Sequence, residues 1–451
     1  MKNFIKLTYP ALFIFASVVF ILHYIAAGQA VYGDGIGYWA HLHSWVFDGD
    51  WDNTNEFKHF YSPQNNNSDN PKVAKIGFTQ TSETEEVVNH FSPGMAFLLL
   101  PFYLTAHFIA NLGQLFGLSL HPNGYSDIYQ ITSGIGAIVY TFIGLRFLEL
   151  LIQKFTKSKT VARITVVGLF LTTTLFYYGS YNVLNSHFAS FFLTTAFFYI
   201  LVFFKYDSKK PFLLGLITGL STANRPQDGL VAEIYAIYLL KNHDIKKDFS
   251  IIVKNMLSFT LGFLITVSLL VVQIHANSGS LSSYKYIQEF TQTFTGERGV
   301  SILGSLIDPM NGLFTKTPIL IPIFFYYFYL LYKRNSNIYY NLAFIFFAGQ
   351  IVIITLQRGW PAAAYGGRMY ISSFIFFGLI FGELVKVFRN KLGYKFLIIT
   401  ISGFILLNFY NVFRFTFYDK QASANGSGIE GYTVKRIDSL LKSSRFYKLF
   451  K

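Results

Sequence analysis

The chain alternates long apolar runs with short polar segments, and this alternation limits the folds that it can adopt. The first run, Tyr9 to Ala27, is long enough at about 1.5 Å per residue to cross a lipid bilayer. Hydrophobic residues make up 52% of the 451 residues and charged residues only 13%, whereas soluble domains carry about 25% charged residues. We therefore expect one all-helical, polytopic membrane domain.

The basic residues occur in short clusters between the apolar runs. Lys and Arg number 37 against 23 Asp and Glu, which gives a formal net charge of +14. We expect no nucleic-acid partner, because such clusters are typical of the cytoplasmic loops of membrane proteins. Lys2 and Lys6 precede the first run, which lacks a recognisable cleavage site, so we predict a retained helix with a cytoplasmic N-terminus. Cys is absent, which excludes disulfides and thiolate metal sites.

An external acidic loop, residues 28–92, follows the first helix and holds nine of the 23 acids. For most of these acids, a preference for water is enough to explain their position in a loop. Asp34 is different, because it stands between Gly33 and Gly35, where the backbone can turn sharply or approach a ligand closely.

Short amphipathic helices are predicted inside this loop. Residues 36–47 suit a helix that lies on the membrane, with Tyr38 and Trp39 at the interface. Residues 64–71, rich in Asn, Ser and Asp, predict an irregular surface turn.

The next apolar run, residues 93–116, is long enough to span but contains Pro93, Pro101 and Gly113. If it crosses, the later lysine clusters lie outside; if it is re-entrant or interfacial, they lie inside, so we predict that it does not cross. Further spans are predicted at 127–152, 164–178, 187–204, 211–224, 229–241, 250–274, 317–333, 338–356, 369–386 and 395–413. With the first helix this makes about eleven. The membrane domain then covers residues 1–413, and the basic tail 414–451 lies outside.

Two of these segments, 211–224 and 229–241, are shorter than the roughly 20 residues that a span requires. Arg225 and Pro226 lie between them. Lipid cannot satisfy a broken backbone, so we predict a hairpin that ends inside the protein. An arginine there costs about 2.5 to 3.5 kcal/mol unless it is paired or lines an aqueous cavity. Either a ligand anion or an ion pair with Asp228 or another acid would explain it.

Other cations and histidines lie at predicted helix ends. Arg358 and Arg368 flank a loop of small residues, 359–367, and their planar guanidiniums suit a phosphate. Lys316 precedes another span and suits a ligand phosphate or a lipid headgroup. His90 and His187 suit an interface anchor or a ligand contact equally well.

No nucleotide or zinc motif is present. The chain has neither a Walker sequence nor a GxGxxG ahead of a helix, and no His or carboxylate spacing indicates zinc. Asp48-Gly49-Asp50 has the form of a DxD metal motif, but three residues in an acidic loop are weak support. We expect no cofactor, and a divalent metal is possible but not favoured.

In organisation and motif order, residues 5–390 resemble the GT-C superfamily of bacterial integral membrane glycosyltransferases, which use polyprenyl-phosphate-linked sugars. The similar motifs are Gly33-Asp34-Gly35 in the first loop, Asp48-Gly49-Asp50 with Asn55-Glu56, Pro93-Gly94 with Pro101-Phe102, Ser186-His187, Gly219 through Arg225-Pro226, Asn311-Gly312-Leu313-Phe314 before Thr317-Pro318, and Gly366-Gly367-Arg368. The chain departs from the family in having Asp34-Gly35 where protein mannosyltransferases have Asp-Glu, and in lacking a large soluble C-terminal domain.

The resemblance implies a sugar transferase with its active site at the periplasmic or external face of the bacterial inner (plasma) membrane. A hexose or pentose would pass from a polyprenyl phosphate to a glycan, lipid or protein acceptor, in cell-envelope glycan biosynthesis, with inversion. Asp34 would be the catalytic base. The expected substrate-binding residues are Asp50, Glu56, His90, His187, Arg225, Lys316, Arg358 and Arg368.

A transporter or flippase of lipid-linked saccharide is the main alternative. It shares the buried cations and broken helices, but it does not require a base in the loop. Internal repeats would favour it, and none is recognisable. A non-catalytic scaffold is a third option, which predicts that Asp34 tolerates substitution.

Overall fold

A computed structural model describes residues 2–60, 87–205, 209–278, 301–309, 311–357 and 364–416. Within these ranges the fold consists of helices and turns, with no β-strand. The α-helices are α1 (Lys2–Ala27), α2 (Asp34–His43), α3 (Thr54–Phe60), α4 (Gly94–Leu115), α5 (Asp127–Thr156), α6 (Lys159–Thr172), α7 (His187–Phe203), α8 (Lys209–Asn224), α9 (Val231–Asn242), α10 (Phe249–Ser278), α11 (Ile302–Ile307), α12 (Leu313–Lys316), α13 (Leu320–Tyr332), α14 (Ile338–Gln357) and α15 (Phe374–Arg414). Shorter turns of helix lie at Ser44–Asp48, Thr174–Phe176, Tyr177–Tyr181, Pro226–Leu230 and Arg368–Ser373.

Several helices have the length and composition of membrane spans. Within the described residues there are 6 such helices, or up to 7 if α6 and the turns that follow it count as one bent span. Large apolar side chains such as Phe108, Leu257 and Leu406 are about two-thirds exposed. Apolar surface on this scale requires a non-aqueous environment. The chain is therefore a helical membrane protein.

Helices α1 and α5 run antiparallel and define the two ends of the bundle. At one end, the Tyr24 hydroxyl donates a hydrogen bond of 2.7 Å to Asp127. At the other end, Tyr9 packs under Arg163 of α6, whose guanidinium carbon lies 4.3 Å from the ring centre and whose Nε donates to Glu149 near the end of α5 at 2.7 Å. We call the first the loop end, because the acidic loop begins there, and the second the lysine end, because it carries Lys157 and Lys159.

Helix α4 is one continuous helix although it contains Pro101. Its length and hydropathy meet the criteria for a span. Its contacts, however, return to the start of α5: Tyr103 donates to the Gly124 carbonyl at 3.0 Å, and the His107 ring bonds the Tyr129 hydroxyl at 2.7 Å. The chain between α1 and α5 therefore leaves the loop end and comes back to it.

The predicted span 164–178 contains a bend that was not predicted, because the helix turns by 77° after Thr172. Thr173 has extended backbone angles, and its hydroxyl caps the next turn at Leu175. The buried Asn408 amide donates to the carbonyls of Leu171 and Thr173 at the bend, at 2.9 and 3.0 Å. A distant side chain thus replaces the lost helical hydrogen bonds, which the local sequence does not reveal.

The helix break at Arg225 lies at the predicted position. Arg225 has extended backbone angles, φ −151° and ψ 116°, between α8 and the turn Pro226–Leu230. Lys210 near the start of α8 lies 5.1 Å from the ring centre of Tyr238 near the end of α9, so the two helices run back alongside each other. They form a hairpin whose bend lies at the loop end.

Helix α15 is also a hairpin. Gly393, with φ 79° and ψ 169°, interrupts it between the two predicted spans 369–386 and 395–413. Phe381 on the first arm and Ile401 on the second both lie against Gly168 of α6. The turn therefore lies at the lysine end, and Arg414 returns to the loop end.

Helix α2 is not the surface helix that was expected at residues 36–47. Every residue from Gly35 to His43 is buried, and Trp39 is fully buried against Phe60 and Tyr103. The expectation failed because α3 and α4 cover the helix. Tyr38 and Trp39 are core residues and not interface anchors. Three other predictions lie outside the described residues, namely the turn 64–71, Arg358 with residues 359–363, and the tail beyond residue 416.

Cysteine labelling can test this arrangement, because the chain has no cysteine of its own. Lys58 and His121 are exposed at the loop end, and Lys205 is exposed at the lysine end. Single cysteines at 58 and 121 should react with an impermeant maleimide in intact cells, while one at 205 should react only after permeabilisation. Labelling of 58 and 205 in intact cells, with 121 protected until permeabilisation, would mean that α4 crosses the membrane.

Candidate functional site

Asp34 and Arg368 form an ion pair at the loop end. Asp34 is the first residue of α2, and Arg368 is the first residue of the turn Arg368–Ser373. One carboxylate oxygen lies 2.7 Å from Nη1 of the guanidinium, and the side chains are 39% and 14% exposed. The pair is therefore shielded but still open to a ligand from the Asp34 side.

Glycines allow the backbone segments around this pair to approach closely. Gly33, with φ 57°, turns the chain into α2. A Cβ on Gly35 would lie 2.4 Å from the Leu184 carbonyl oxygen. A Cβ on Gly366, which has φ 61°, would lie 2.6 Å from Thr174 and 3.0 Å from the Cβ of Lys316. These positions require glycine for space, conformation or both.

Arg225 is buried next to His187. It is 6% exposed, and its Nη1 lies 3.2 Å from Nδ1 of His187. Its Nη2 lies 3.5 Å from the Gln227 side-chain oxygen and also contacts the sulfur of Met369. Met369 directly follows Arg368, so the two arginines belong to one polar cluster.

The contact with Arg225 fixes the protonation of His187. A guanidinium can only donate hydrogen bonds, so Nδ1 must accept and Nε2 must carry the proton of a neutral imidazole. Nε2 is buried and has no hydrogen-bond partner among the described residues. An unpaired buried donor costs about 1 to 3 kcal/mol. An acceptor atom on a ligand would recover that cost.

Arg225 makes no ion pair with any acid in the described part of the chain. The nearby Asp228 carboxylate accepts hydrogen bonds from Ser190 at 2.5 Å and from Gln350 at 3.4 Å instead. Gln350 also donates to the Gln227 carbonyl at 2.9 Å, so Asp228 is part of the network that holds the helix break. Asp228 makes no ion pair with the guanidinium.

Tyr38 lies within the electrostatic influence of both arginines. Burial raises the pKa of Tyr38, and Arg225 opposes this increase while Asp34 adds to it. Arg368 also lowers the pKa of Tyr38, so both guanidiniums act on the same hydroxyl. His187 likewise lies in the electrostatic field of both. Asp34, Tyr38, His187, Arg225 and Arg368 thus form one group, which we call the arginine site.

Lys316 belongs to the edge of this site. It is the last residue of α12, is 6% exposed, and its side chain lies against Gly366, two residues before Arg368. Lys316 therefore lies inside the protein and not at a lipid headgroup.

Asp50 and Glu56 make their hydrogen bonds within the acidic loop. Asp50 accepts from the Ser44 hydroxyl at 3.0 Å and from the Asp52 amide at 3.1 Å, so it orders the turn. Glu56 is fully buried and lies 2.7 Å from Nδ1 of His43. Burial raises the pKa of Glu56 to about 7, and the bond to His43 opposes this increase. His90 is half-buried in the segment that leads to α4.

Sequence reasoning missed several members of these networks. Tyr38 was assigned to the interface, while Gln227, Gln350 and Met369 were not considered. Gln350, a polar amide inside an apolar segment, was the available signal, because a buried amide needs partners. Comparison with known proteins found no matching family model, no similar curated protein and no similar solved structure.

A glycine substitution should test the close contact beneath Asp34. Gly35→Ala places a methyl group against the Leu184 carbonyl, and such overpacking costs about 1 to 3 kcal/mol. Its unfolding temperature in detergent, followed by tryptophan fluorescence, should fall. Gly403→Ala is the control, because a Cβ there meets nothing within 4 Å. In a helix that change should stabilise by about 0.5 to 1 kcal/mol. An unchanged unfolding temperature for Gly35→Ala would contradict the packing of α2 on Leu184.

Proposed function

We propose that the chain is an integral membrane glycosyltransferase that moves a sugar from a polyprenyl phosphate to an acceptor hydroxyl at the external face. The observation that carries the proposal is the arginine site. A carboxylate, a guanidinium paired with it and a second buried guanidinium with no acidic partner among the described residues meet at one end of the bundle. This combination suits a reaction that needs a base and releases a phosphate.

The general base in this proposal is Asp34. It takes the proton of the acceptor hydroxyl as that oxygen bonds to the anomeric carbon of the sugar. The bond from the anomeric carbon to the phosphate oxygen breaks on the opposite face, which inverts the centre. The products are the glycoside, the polyprenyl phosphate and a protonated Asp34 that returns its proton to water.

The two arginines suit the change in charge on the phosphate. A sugar linked through a polyprenyl phosphodiester carries one negative charge, and the released phosphate monoester carries up to two. Arg225 and Arg368 would bind the phosphate, and the His187 Nε2 proton would supply a further hydrogen bond. Cations that stabilise charge appearing in the transition state accelerate the reaction.

The ion pair gives donor binding a second effect. While Arg368 holds Asp34, one carboxylate oxygen is occupied by the guanidinium. A donor phosphate that binds Arg368 competes for the same group and leaves the carboxylate more available to an acceptor. Donor binding would then prepare the base.

The topology that fits this function has about eleven spans, with the arginine site and the C-terminal tail outside. Helix α4 then lies in the external interface without crossing, since its contacts return to the loop end. The membrane would be the bacterial inner membrane. No nucleotide is required, because the donor is charged on the cytoplasmic side.

Removing the base should slow turnover strongly while donor binding is kept. Asp34→Asn keeps the shape of the side chain but cannot accept the proton, so we expect a fall of about 10² to 10⁴ in rate. The measurement is the release of polyprenyl phosphate from extracted lipid-linked sugars, by mass spectrometry. Asp244→Asn in the turn before α10 is the control. Near-normal release by Asp34→Asn would place the base elsewhere, and a wild type that transports the intact lipid-linked sugar without cleaving it would be a flippase.

Charge-conserving changes should test the phosphate contacts. Arg225→Lys and Arg368→Lys keep the positive charge but lose the planar pair of donors. Hydrogen bonds to charged groups contribute about 1.5 to 3 kcal/mol, so farnesyl phosphate should bind at least roughly tenfold more weakly to each variant. Arg389→Lys, at the lysine end near Ser158, should bind it like the wild type. Unchanged affinity in both test variants would remove these arginines from the phosphate site.

A further inference from the structure

A second polar cluster lies in the acidic loop, at the far end of α2 from Asp34. His43 ends α2, Asp48 ends the wide π-helical turn that follows, and Glu56 lies in α3. Nδ1 of His43 is 2.7 Å from Oε1 of Glu56 and 3.2 Å from Oδ2 of Asp48. The three atoms all lie within 4.8 Å of one another.

The wide turn is what brings His43 and Asp48 together. The residues lie five apart, and in Ser44–Asp48 the helix is wound more widely than an α-helix. Gly49, with φ 73°, then ends the turn, and its amide donates to the Ser44 carbonyl at 2.7 Å. Single π-helical turns are frequently found at functional sites.

The internal hydrogen bonds of this cluster are incomplete. Nδ1 of His43 has at most one proton, so it can donate to only one of the two carboxylates at a time. Glu56 is fully buried, and its second oxygen, Oε2, has no hydrogen-bond partner among the described residues. The cluster therefore leaves acceptor capacity unfilled at Oε2 of Glu56.

The surroundings hold the cluster in place and leave one side accessible. The His43 ring is stacked between Phe47 and Tyr125, with ring centres at 4.7 and 4.1 Å. Asn55 donates to Oδ2 of Asp48 at 3.0 Å, as the outer partner of a metal ligand commonly does. The Asp48 side chain is 31% exposed, so a small ion can reach the cluster from solvent.

We propose that His43, Asp48 and Glu56 bind a divalent cation of the Zn²⁺ or Mn²⁺ type that fastens the acidic loop. One imidazole nitrogen with carboxylate oxygens is a suitable ligand set for these ions, and two carboxylates balance the charge of a divalent cation. Tetrahedral ligands at about 2.1 Å from zinc lie about 3.4 Å apart, so the His43 to Glu56 contact opens by under about 1 Å on binding.

This site differs from the DxD pattern seen in the sequence. Asp48 contributes a ligand, but Asp50 turns away to the Ser44 hydroxyl and the Asp52 amide. The partners of Asp48 are instead His43 and Glu56. The ion would connect α2, the π-helical turn and α3, and it does not take part in the proposed sugar transfer.

The test is metal binding by the full-length protein in detergent, after EDTA treatment and removal of the chelator. Titration with Zn²⁺ or Mn²⁺ alone should show one equivalent bound and a higher unfolding temperature. Asp48→Asn and Glu56→Gln should each weaken binding at least tenfold. Asp52→Asn is the matched control, because its amide oxygen can still accept from Thr54, and it should bind like the wild type.

Two results would overturn the proposal. One is a wild type that binds neither ion, and the other is equal binding by the wild type and both ligand variants. Asp48 is partly exposed, so Asp48→Asn should fold even if Glu56→Gln does not. X-ray absorption at the zinc edge gives an independent readout, since a bound ion must show an imidazole ligand, and its absence would also contradict the assignment.

Discussion

Hydrogen bonds from side-chain amides hold the helix breaks on which the structure depends. An unpaired backbone group in an apolar interior costs several kcal/mol, so a membrane helix can stop only where other groups replace its lost bonds. Asn408 does this for the bend at Thr173. At the second break, Gln227 donates to the Met369 carbonyl at 3.0 Å and Gln350 returns a bond to the Gln227 carbonyl. These amides allow irregular backbone at the loop end.

The breaks also bring charge to a place where a continuous helix would present only apolar side chains. Arg225 occupies the extended residue between α8 and the next turn, and the amide of Gln227 bonds the residue that follows Arg368. Tyr365, which directly precedes Gly366, forms hydrogen bonds with both Tyr178 and Asn408. The same network that satisfies the backbone therefore also orients both guanidiniums.

The local sequence was sufficient to predict the features that neighbouring residues determine. Hydropathy predicted helices throughout, with separate spans on either side of residue 393, and Pro226 and Arg225 marked a break. The local sequence did not predict the features that depend on residues far away in the chain. Nothing near Thr173 indicates that Asn408 will satisfy a bend there, and the aromatic pair Tyr38 and Trp39 has the composition of an interface belt although it is buried.

Of the site residues, Asp34 and Arg368 were each proposed, but their pairing depends on the tertiary fold. The cluster of His43, Asp48 and Glu56 was missed because a π-helical turn brings His43 to Asp48 and because Glu56 comes from a separate helix.

The pairing of Asp34 with Arg368 has a consequence for biogenesis. Asp34 emerges from the ribosome soon after the first helix, whereas Arg368 follows nearly all of the others. During synthesis Asp34 therefore lies in the loop without Arg368 while most of the helices insert. The pair can form only after Arg368 has been synthesised, directly before the final hairpin, whose two arms both pack on Gly168 of α6. Formation of the ion pair would thus mark a late stage of assembly, and a prematurely terminated chain would contain the carboxylate without its guanidinium.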